Sequence, residues 1–439
     1  MVGIKINKTL RNFIIVLVAV ILVFVISSLI PEKTFSEKYE GYDLETSVGV
    51  TSSSKTYSEY QIEHKNAATP SVAVDVDVLS YDASKSYGTR LENDYYGKDV
   101  VVTDDYSSVT WYVDVPQAGF YNLSMEYIAI PSRNVSMERI LYINDEVPFN
   151  GADNLAFFRL WKDGGPVKFD NRGNSIRPTQ VEFFEYQTVL YKSNLGYEVD
   201  PYRFYFKQGR NTITLESTNE PMAVSKLSLV PVKKYDTYNQ YVAKQKSTPE
   251  SYKGTNVSIK IQGENSVRRS DPSLFARYDR SSATTEPTSV SKTILNYTGG
   301  ESWKNPGQWI EWDMEVPEDG WYTISIRGRQ LYQRGYVACR SVYIDGEIPT
   351  EALKSIGFEY STDWEMVTLK DENKQPYKFY LSKGTHSIRL EVTLGEVGSI
   401  INDLQDSIFR LNVIYRTILV LTGVAPDQFR DYEIEKIYP

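Results

Sequence analysis

Histidine and cysteine, which carry most nucleophilic, general-base and metal chemistry, are nearly missing from this sequence. There are two histidines, His64 and His386, and one cysteine, Cys339. No disulfide can therefore close within the chain, and no cysteine-rich zinc site can be built. Both histidines are read as surface residues. No G-x-S-x-G elbow, phosphate loop or His-Glu-x-x-His helix occurs. A glycosidase would need only a pair of carboxylates, and 57 acids offer too many pairs to choose one. Without a domain of catalytic size, no enzyme is expected. What the chain has in quantity is aromatic faces: 34 Tyr, 17 Phe and 7 Trp, 13% of residues. Two readings stand for them, a β-rich scaffold whose pleated surface suits aromatics or a surface that binds something flat. Trp161, beside Phe157 and Phe158, is a candidate lid, ligand or partner contact, with buried packing as the other reading. A net charge of −9 lacks the basic stripe of a nucleic-acid binder, so no nucleic acid is expected as a partner.

Most of the chain is a duplication. Val115-Pro-Gln-Ala-Gly-Phe-Tyr-Asn-Leu-Ser-Met125 returns 201 positions on as Val316-Pro-Glu-Asp-Gly-Trp-Tyr-Thr-Ile-Ser-Ile326. The same offset carries Tyr142-Ile-Asn-Asp-Glu-Val-Pro148 onto Tyr343-Ile-Asp-Gly-Glu-Ile-Pro349. Further on, Tyr202-Arg-Phe-Tyr-Phe-Lys-Gln-Gly209 answers Tyr377-Lys-Phe-Tyr-Leu-Ser-Lys-Gly384 at an offset of 175, so the first copy holds 26 extra residues within 149–201. Tyr121, Leu123, Met125 and Tyr127 alternate with polar residues, as half-buried strands do. Asn144-Asp145 and Asp345-Gly346 are hairpin turn signals. Each copy therefore reads as a β-sandwich of short strands. Trp111 and Trp312 align ahead of the Pro-Gly turn and are expected in the cores.

In chain order, residues 1–12 are a basic cytoplasmic segment and 13–30 an apolar run of 18 residues, long enough to span a membrane. Lys5, Lys8 and Arg11 ahead of it place the N-terminus inside. An uncleaved signal anchor is expected, a cleaved signal peptide being the other reading of the same start. The expected location is the cell membrane, single-pass, with the bulk outside the cytoplasm. Residues 31–70 read as a flexible stalk, 71–235 as the first sandwich, 236–256 as a polar linker and 257–398 as the second sandwich. Over 399–422, Ile401, Leu404, Ile408, Leu411, Tyr415 and Ile418 recur at helical spacing, with Ser399 as cap and Gly423 as stop. The apolar face of this helix must be covered by the second sandwich, a partner helix or a further domain. Residues 423–439 are a tail. The fold class is thus mainly β, with two tandem β-sandwiches, an N-terminal transmembrane helix and a C-terminal amphipathic helix.

The order strand, V-P-x-x-G-[FW]-Y, strand, Y-I-[ND]-[DG]-E, then a G-x-x-x-I-x-L-E strand resembles the galactose-binding-like jelly roll, and within it the carbohydrate-binding modules of families six and thirty-five. Gly320-Trp321-Tyr322, Asp345-Gly346, Asp363-Trp364 and Leu381-Ser-Lys-Gly384 carry the likeness in the second copy. Trp303-Lys-Asn-Pro-Gly-Gln-Trp-Ile-Glu-Trp312 and Thr422-Gly-Val-Ala-Pro-Asp-Gln-Phe-Arg-Asp-Tyr432 resemble the N-terminal region of large bacterial solute-binding proteins of sugar ABC transporters. There, sandwich domains precede a periplasmic-binding-type domain, which would begin where this chain stops. The chain is then a fragment or a stand-alone relative.

The resemblance implies an oligosaccharide or polysaccharide ligand, and transporter permease subunits or a C-terminal binding domain as further partners. It assigns Trp364 as a stacking wall flanked by Asp363 and Tyr360. Tyr332 and Arg334, in the loop after the Gly-Trp-Tyr strand, supply a second wall and a bidentate donor. The other reading makes Trp364 a core plug and Arg334 a solvated charge. No cofactor is expected. For the structural calcium that such modules often hold, Glu264 stands where the second acid would be, but Gln262 replaces the first, and calcium needs six to eight oxygens. The expected function is a membrane-anchored, extracytoplasmic carbohydrate-binding protein serving sugar uptake. The alternative is a structural or protein-interaction module without sugar binding.

Overall fold

The computed structural model describes residues 55–251 and 257–432, all of which fall in one compact unit, Thr51–Pro439. The expected anchor at 13–30, most of the stalk and the end of the tail lie outside the described residues. Among the described residues, no helix is long and apolar enough to cross a membrane.

In the first copy the turn residues set the strand pairing. Asn144 (φ 53°) and Asp145 (φ 68°) both take the left-handed conformation that a two-residue hairpin needs. Ile143 and Glu146 close it. The strand Met137–Ile143 pairs with Gly209–Asn219, which pairs in turn with the 18-residue strand Lys98–Val115. That long strand serves both layers. Residues 108–115 lie against Gly209–Asn219, while 101–103 lie against Met222–Pro231, which continues to Gly119–Ala129. Alternate side chains from the two layers meet in one core holding Trp111, Tyr121, Leu123, Met125, Leu215, Leu227 and Phe204. The Trp111 indole N–H donates to the Val78 carbonyl at 2.8 Å, which satisfies its one polar atom in a fully buried place.

The second copy repeats this geometry. Asp345 (φ 52°) and Gly346 (φ 80°) make the same turn. Trp309–Val316 pairs with Gly384–Thr393, which pairs with Ala338–Ile344. Trp312 is buried and donates to the Gly263 carbonyl at 2.9 Å. Gly320–Thr323 with Lys378–Leu381, and Ser325–Gly328 with Glu365–Thr368, build the facing layer.

The repeat starts earlier than the strand alternation suggests. Residues 55–70 are not stalk: helix α1, Tyr57–Glu63, is held by a Thr56–Glu59 capping box and buries Tyr57 and Tyr60 in the first core. Nor are residues 237–244 linker. Helix α2, Tyr238–Lys244, carries the same box in Thr237 and Gln240, and packs Tyr241 on the second core. In each copy two tyrosine hydroxyls, one turn apart, accept backbone N–H groups two residues apart, along a strand in the second copy and at the start of one in the first. Tyr57 and Tyr60 take those of Arg203 and Tyr205. Tyr238 and Tyr241 take those of Lys378 and Tyr380.

The two sandwiches share a sheet. Leu160–Asp163 and Gln180–Phe183, from the insertion of the first copy, pair with each other and, through Arg268–Arg269, extend a sheet of the second copy from five strands to seven. Trp161 therefore lies in a strand, opposite Arg269, and is 7% exposed. It is a joint residue and not a lid or ligand contact. Arg269, fully buried, donates to Asp163 (3.0 Å), Gln180 (2.7 Å) and the Ser266 carbonyl (3.0 Å). Lys192 crosses the same joint to Tyr343 (2.7 Å) and Glu391 (3.0 Å).

The C-terminal helix α3 spans Glu396–Thr422. It begins three residues before the expected start. Ser399 does not cap it, since its hydroxyl bonds the Glu396 carbonyl, and Gly395 precedes it with no side-chain cap. Gly423 (φ 71°) ends it as expected, its N–H bonding the Leu419 carbonyl. The second sandwich does not cover the apolar face. The helix instead touches residues of the first copy, among them Glu198 and Glu59.

His386 sits beside the second hairpin. Its Nδ1 lies 2.6 Å from the Asp345 carboxylate and its Nε2 2.8 Å from the Ser382 carbonyl. Burial disfavours the imidazolium, but these two acceptors outweigh it and the pKa is raised. The doubly protonated ring satisfies both. This contact therefore stabilises the fold fully below the unfolded histidine pKa of about 6.5, and the contribution is lost as pH rises through the higher folded value. NMR titration should place the His386 midpoint above that of a free histidine, and Asp345→Asn should bring it down. A midpoint at or below the free value would contradict the pairing.

Candidate functional site

Three loops of the second copy converge at one end of the sandwich: 277–297, 329–337 and 358–364. Trp364 stands at their meeting point. It is partly exposed, so it is not a core plug. Its indole N–H donates to Asp279 at 2.5 Å, Tyr297 meets it edge-on at 5.6 Å between ring centres, and the Arg329 guanidinium lies 4.9 Å from its ring centre. Arg329 also pairs with Asp279 at 3.3 Å and donates to Ser281 at 2.7 Å. Burial works against the charge of Asp279. The Trp364 N–H, the Ser281 donors and Arg329 outweigh it and hold the carboxyl below its ordinary range. The result is an aromatic ring held in place by an ionised carboxylate and a guanidinium that are themselves largely covered and bonded to each other.

The other expected residues divide. Tyr360 is on the rim, its loop bridged to Gln330, and Tyr332 is exposed close by and acts electrostatically on Tyr297. Tyr278 and Tyr336 are exposed in the same three loops. Asp363 is exposed, its backbone N–H turned to Ser361. Arg334 is exposed on the 329–337 loop and makes no ion pair among the described residues; the cation that lies against Trp364 is Arg329. Trp161 is remote in role, within the joint between the sandwiches. Asp279, Tyr297 and Arg329 were missed by sequence reasoning. No local motif marks them, and Arg329 and Asp279 lie fifty residues apart in the chain.

The insertion of the first copy supports these loops. Asn174 and Ser175 bond Thr293 at 2.8 Å each. Asn296, buried, ties the loop to itself by accepting from the Asp279 N–H (2.8 Å) and donating to the Pro287 carbonyl (3.0 Å). The loop holding Asp279 and Tyr297 is thus braced from both copies.

Glu264 does not fit a calcium site. Its carboxylate is half-buried, its pKa is raised by that burial, and Oε2 has no hydrogen-bond partner among the described residues. No group of three or more acidic, histidine or cysteine side chains gathers there or elsewhere among the described residues. One carboxylate falls short of the oxygen set calcium requires.

No protein-family model matches the chain, and no curated protein does. Among solved structures, its neighbours are carbohydrate-binding modules of families 35 and 6, the two that the sequence motifs resemble. A family 35 module from Clostridium thermocellum is 16% identical, with a TM-score of 0.21, over 36% of this chain and 97% of that one. The C-terminal family 6 module of a laminarinase from Zobellia galactanivorans is 15% identical, with a TM-score of 0.20, over 36% and 99%. A β-(1,4)-mannanase of Podospora anserina that carries a family 35 module is 12% identical, with a TM-score of 0.24, over 38% of this chain. This chain spans 30% of the length of that enzyme. At these scores the likenesses add nothing to the strand order and register described above.

Proposed function

We propose that the chain is a non-catalytic carbohydrate-binding protein whose ligand site is the loop end of the second sandwich. The observation that carries this reading is the Trp364–Tyr297–Arg329–Asp279 cluster, ringed by exposed Tyr278, Tyr332, Tyr336 and Tyr360. A sugar ring offers apolar C–H faces and equatorial hydroxyls. Aromatic walls take the first and the hydroxyls of the exposed tyrosines take the second, while the Arg329–Asp279 pair holds Trp364 in place. The finer reading, an extracytoplasmic accessory region of a sugar-uptake system anchored through residues 13–30 and working with permease subunits, rests on sequence resemblance.

A glycan array probed with the full chain, followed by calorimetry on the hits, tests the proposal. At least one saccharide should bind, and Trp364→Ala should weaken it by roughly 30-fold, the effect of losing a central aromatic anchor. Trp161→Phe should leave affinity unchanged. Absence of binding to every saccharide, or equal affinity in Trp364→Ala, would remove the reading.

A further inference from the structure

Helix α3 meets the rest of the molecule through its polar side. Asn402 reaches Glu198 at 3.5 Å, Arg410 pairs with Glu59 at 3.0 Å, and Asp406, between them on the helix, is partly buried. Gly398 lies so close to the Tyr197 carbonyl that a Cβ there would come within 2.8 Å of it. At 3.6 residues per turn these four positions share one side of the helix. Ile401, Leu404, Ile408, Leu411, Tyr415 and Ile418 lie on the opposite side. Ile401 is partly buried, and from Leu404 onward exposure along that stripe runs from 37% at Ile418 to 64% at Leu411. From Leu404 to Ile418 the docked helix turns its apolar stripe to solvent.

We propose that a second copy of this chain covers the stripe, the two α3 helices pairing in parallel as a two-stranded coiled coil. The six residues recur at intervals of three, four, three, four and three, the period of a left-handed supercoil. Isoleucine occupies the first core position of the first two heptads (Ile401, Ile408) and leucine the second (Leu404, Leu411). That combination favours two parallel strands over three or four. Charge points to an identical partner. Every charged residue of the helix lies away from the stripe: Glu396, Asp403, Asp406, Arg410 and Arg416. The flanking positions Gln405, Ser407, Asn412, Ile414, Leu419 and Leu421 are uncharged. Two identical helices therefore meet without like-charge repulsion, and nothing in the flanks selects a partner of opposite charge. The pairing is independent of the glycan site.

The full chain in mild detergent gives the test. Light scattering should report twice the single-chain mass. Leu404→Asp with Leu411→Asp, both at exposed positions, should raise the dissociation constant at least about 100-fold and leave the thermal midpoint of the body unchanged. Val413→Glu, exposed and outside the stripe, should keep the doubled mass. In a Cys339→Ser background, Ile408→Cys should cross-link two copies on mild oxidation, since equivalent core positions adjoin only in a parallel pair. A single-chain mass at every concentration, as expected if a further domain or a lipid surface is the occupant, overturns the proposal. So does a doubled mass that the double variant retains, or the lack of an Ile408→Cys cross-link in a doubled species.

Discussion

Arg269→Ala is expected to destabilise the protein by ~1.5–3 kcal/mol, the range for losing hydrogen bonds made by a charged group. The guanidinium is fully buried and binds Asp163, Gln180 and the Ser266 carbonyl. Alanine would leave the Ser266 carbonyl without its donor and take one donor from the Asp163 carboxylate, which keeps Gln180 Nε2 at 2.6 Å. Because Arg269 links the insertion of the first copy to the sheet of the second, the loss should be felt by both sandwiches. Calorimetry checks this: the variant should melt at a lower temperature, with the single endotherm splitting as the sandwiches lose their coupling. A change below about 1 kcal/mol would mean that the backbone pairing at Trp161 holds the joint without the side chain.

Arg159→Ala should cost more, ~3–5 kcal/mol, here within the first sandwich, where both partner acids are buried. Arg159 pairs with Glu220 and with Glu182 (2.6 Å), and donates to the carbonyls of Val135 (2.7 Å) and Ile130 (2.9 Å). Glu220 is fully buried and adopts φ 65°, a backbone conformation that costs energy outside glycine. Arg133 still reaches Glu220 from the surface at 3.0 Å, so the carboxylate keeps one cation. Denaturant unfolding of Arg159→Ala and of Arg159→Ala with Glu220→Gln separates the two contributions. The second change should recover part of the loss, since it removes the stranded charge. If Arg159→Ala alone unfolds at the wild-type midpoint, the network is not what secures this turn.

The duplicated blocks were legible in sequence because they build the sandwich frame. Pro-Gly turns, two-residue hairpins and alternating strands are local devices, and each left a local trace. Helices α1 and α2 left none. Seven residues with two tyrosines show no sustained period, and their meaning lies in hydrogen bonds to strands some 140 residues away. The insertion read as loop for a similar reason. Its strands Leu160–Asp163 and Gln180–Phe183 are four residues long, and the sheet they extend belongs to the other copy. At the site, Trp364 could be found from its motif, whereas Arg329 and Asp279 are neighbours only through topology. The stripe on α3 was plain in the spacing. Which way it faces was not, because the polar contacts that orient the helix come from distant residues such as Glu59 and Glu198.

The paired tyrosines of α1 and α2 have a further consequence. A strand at the margin of a sheet presents a row of unpaired N–H groups, a template on which another chain can add. Phe204–Phe206 and Lys378–Leu381 are each paired on one side, to Gly119–Ala129 and Gly320–Thr323. On these strands, tyrosine hydroxyls take the N–H groups that a newcomer would need. One helical turn supplies two acceptors spaced to suit alternate residues of the strand. Each sandwich thus carries its own terminator of sheet growth, copied with the domain. Contacts between molecules are thereby steered away from these two sheet edges.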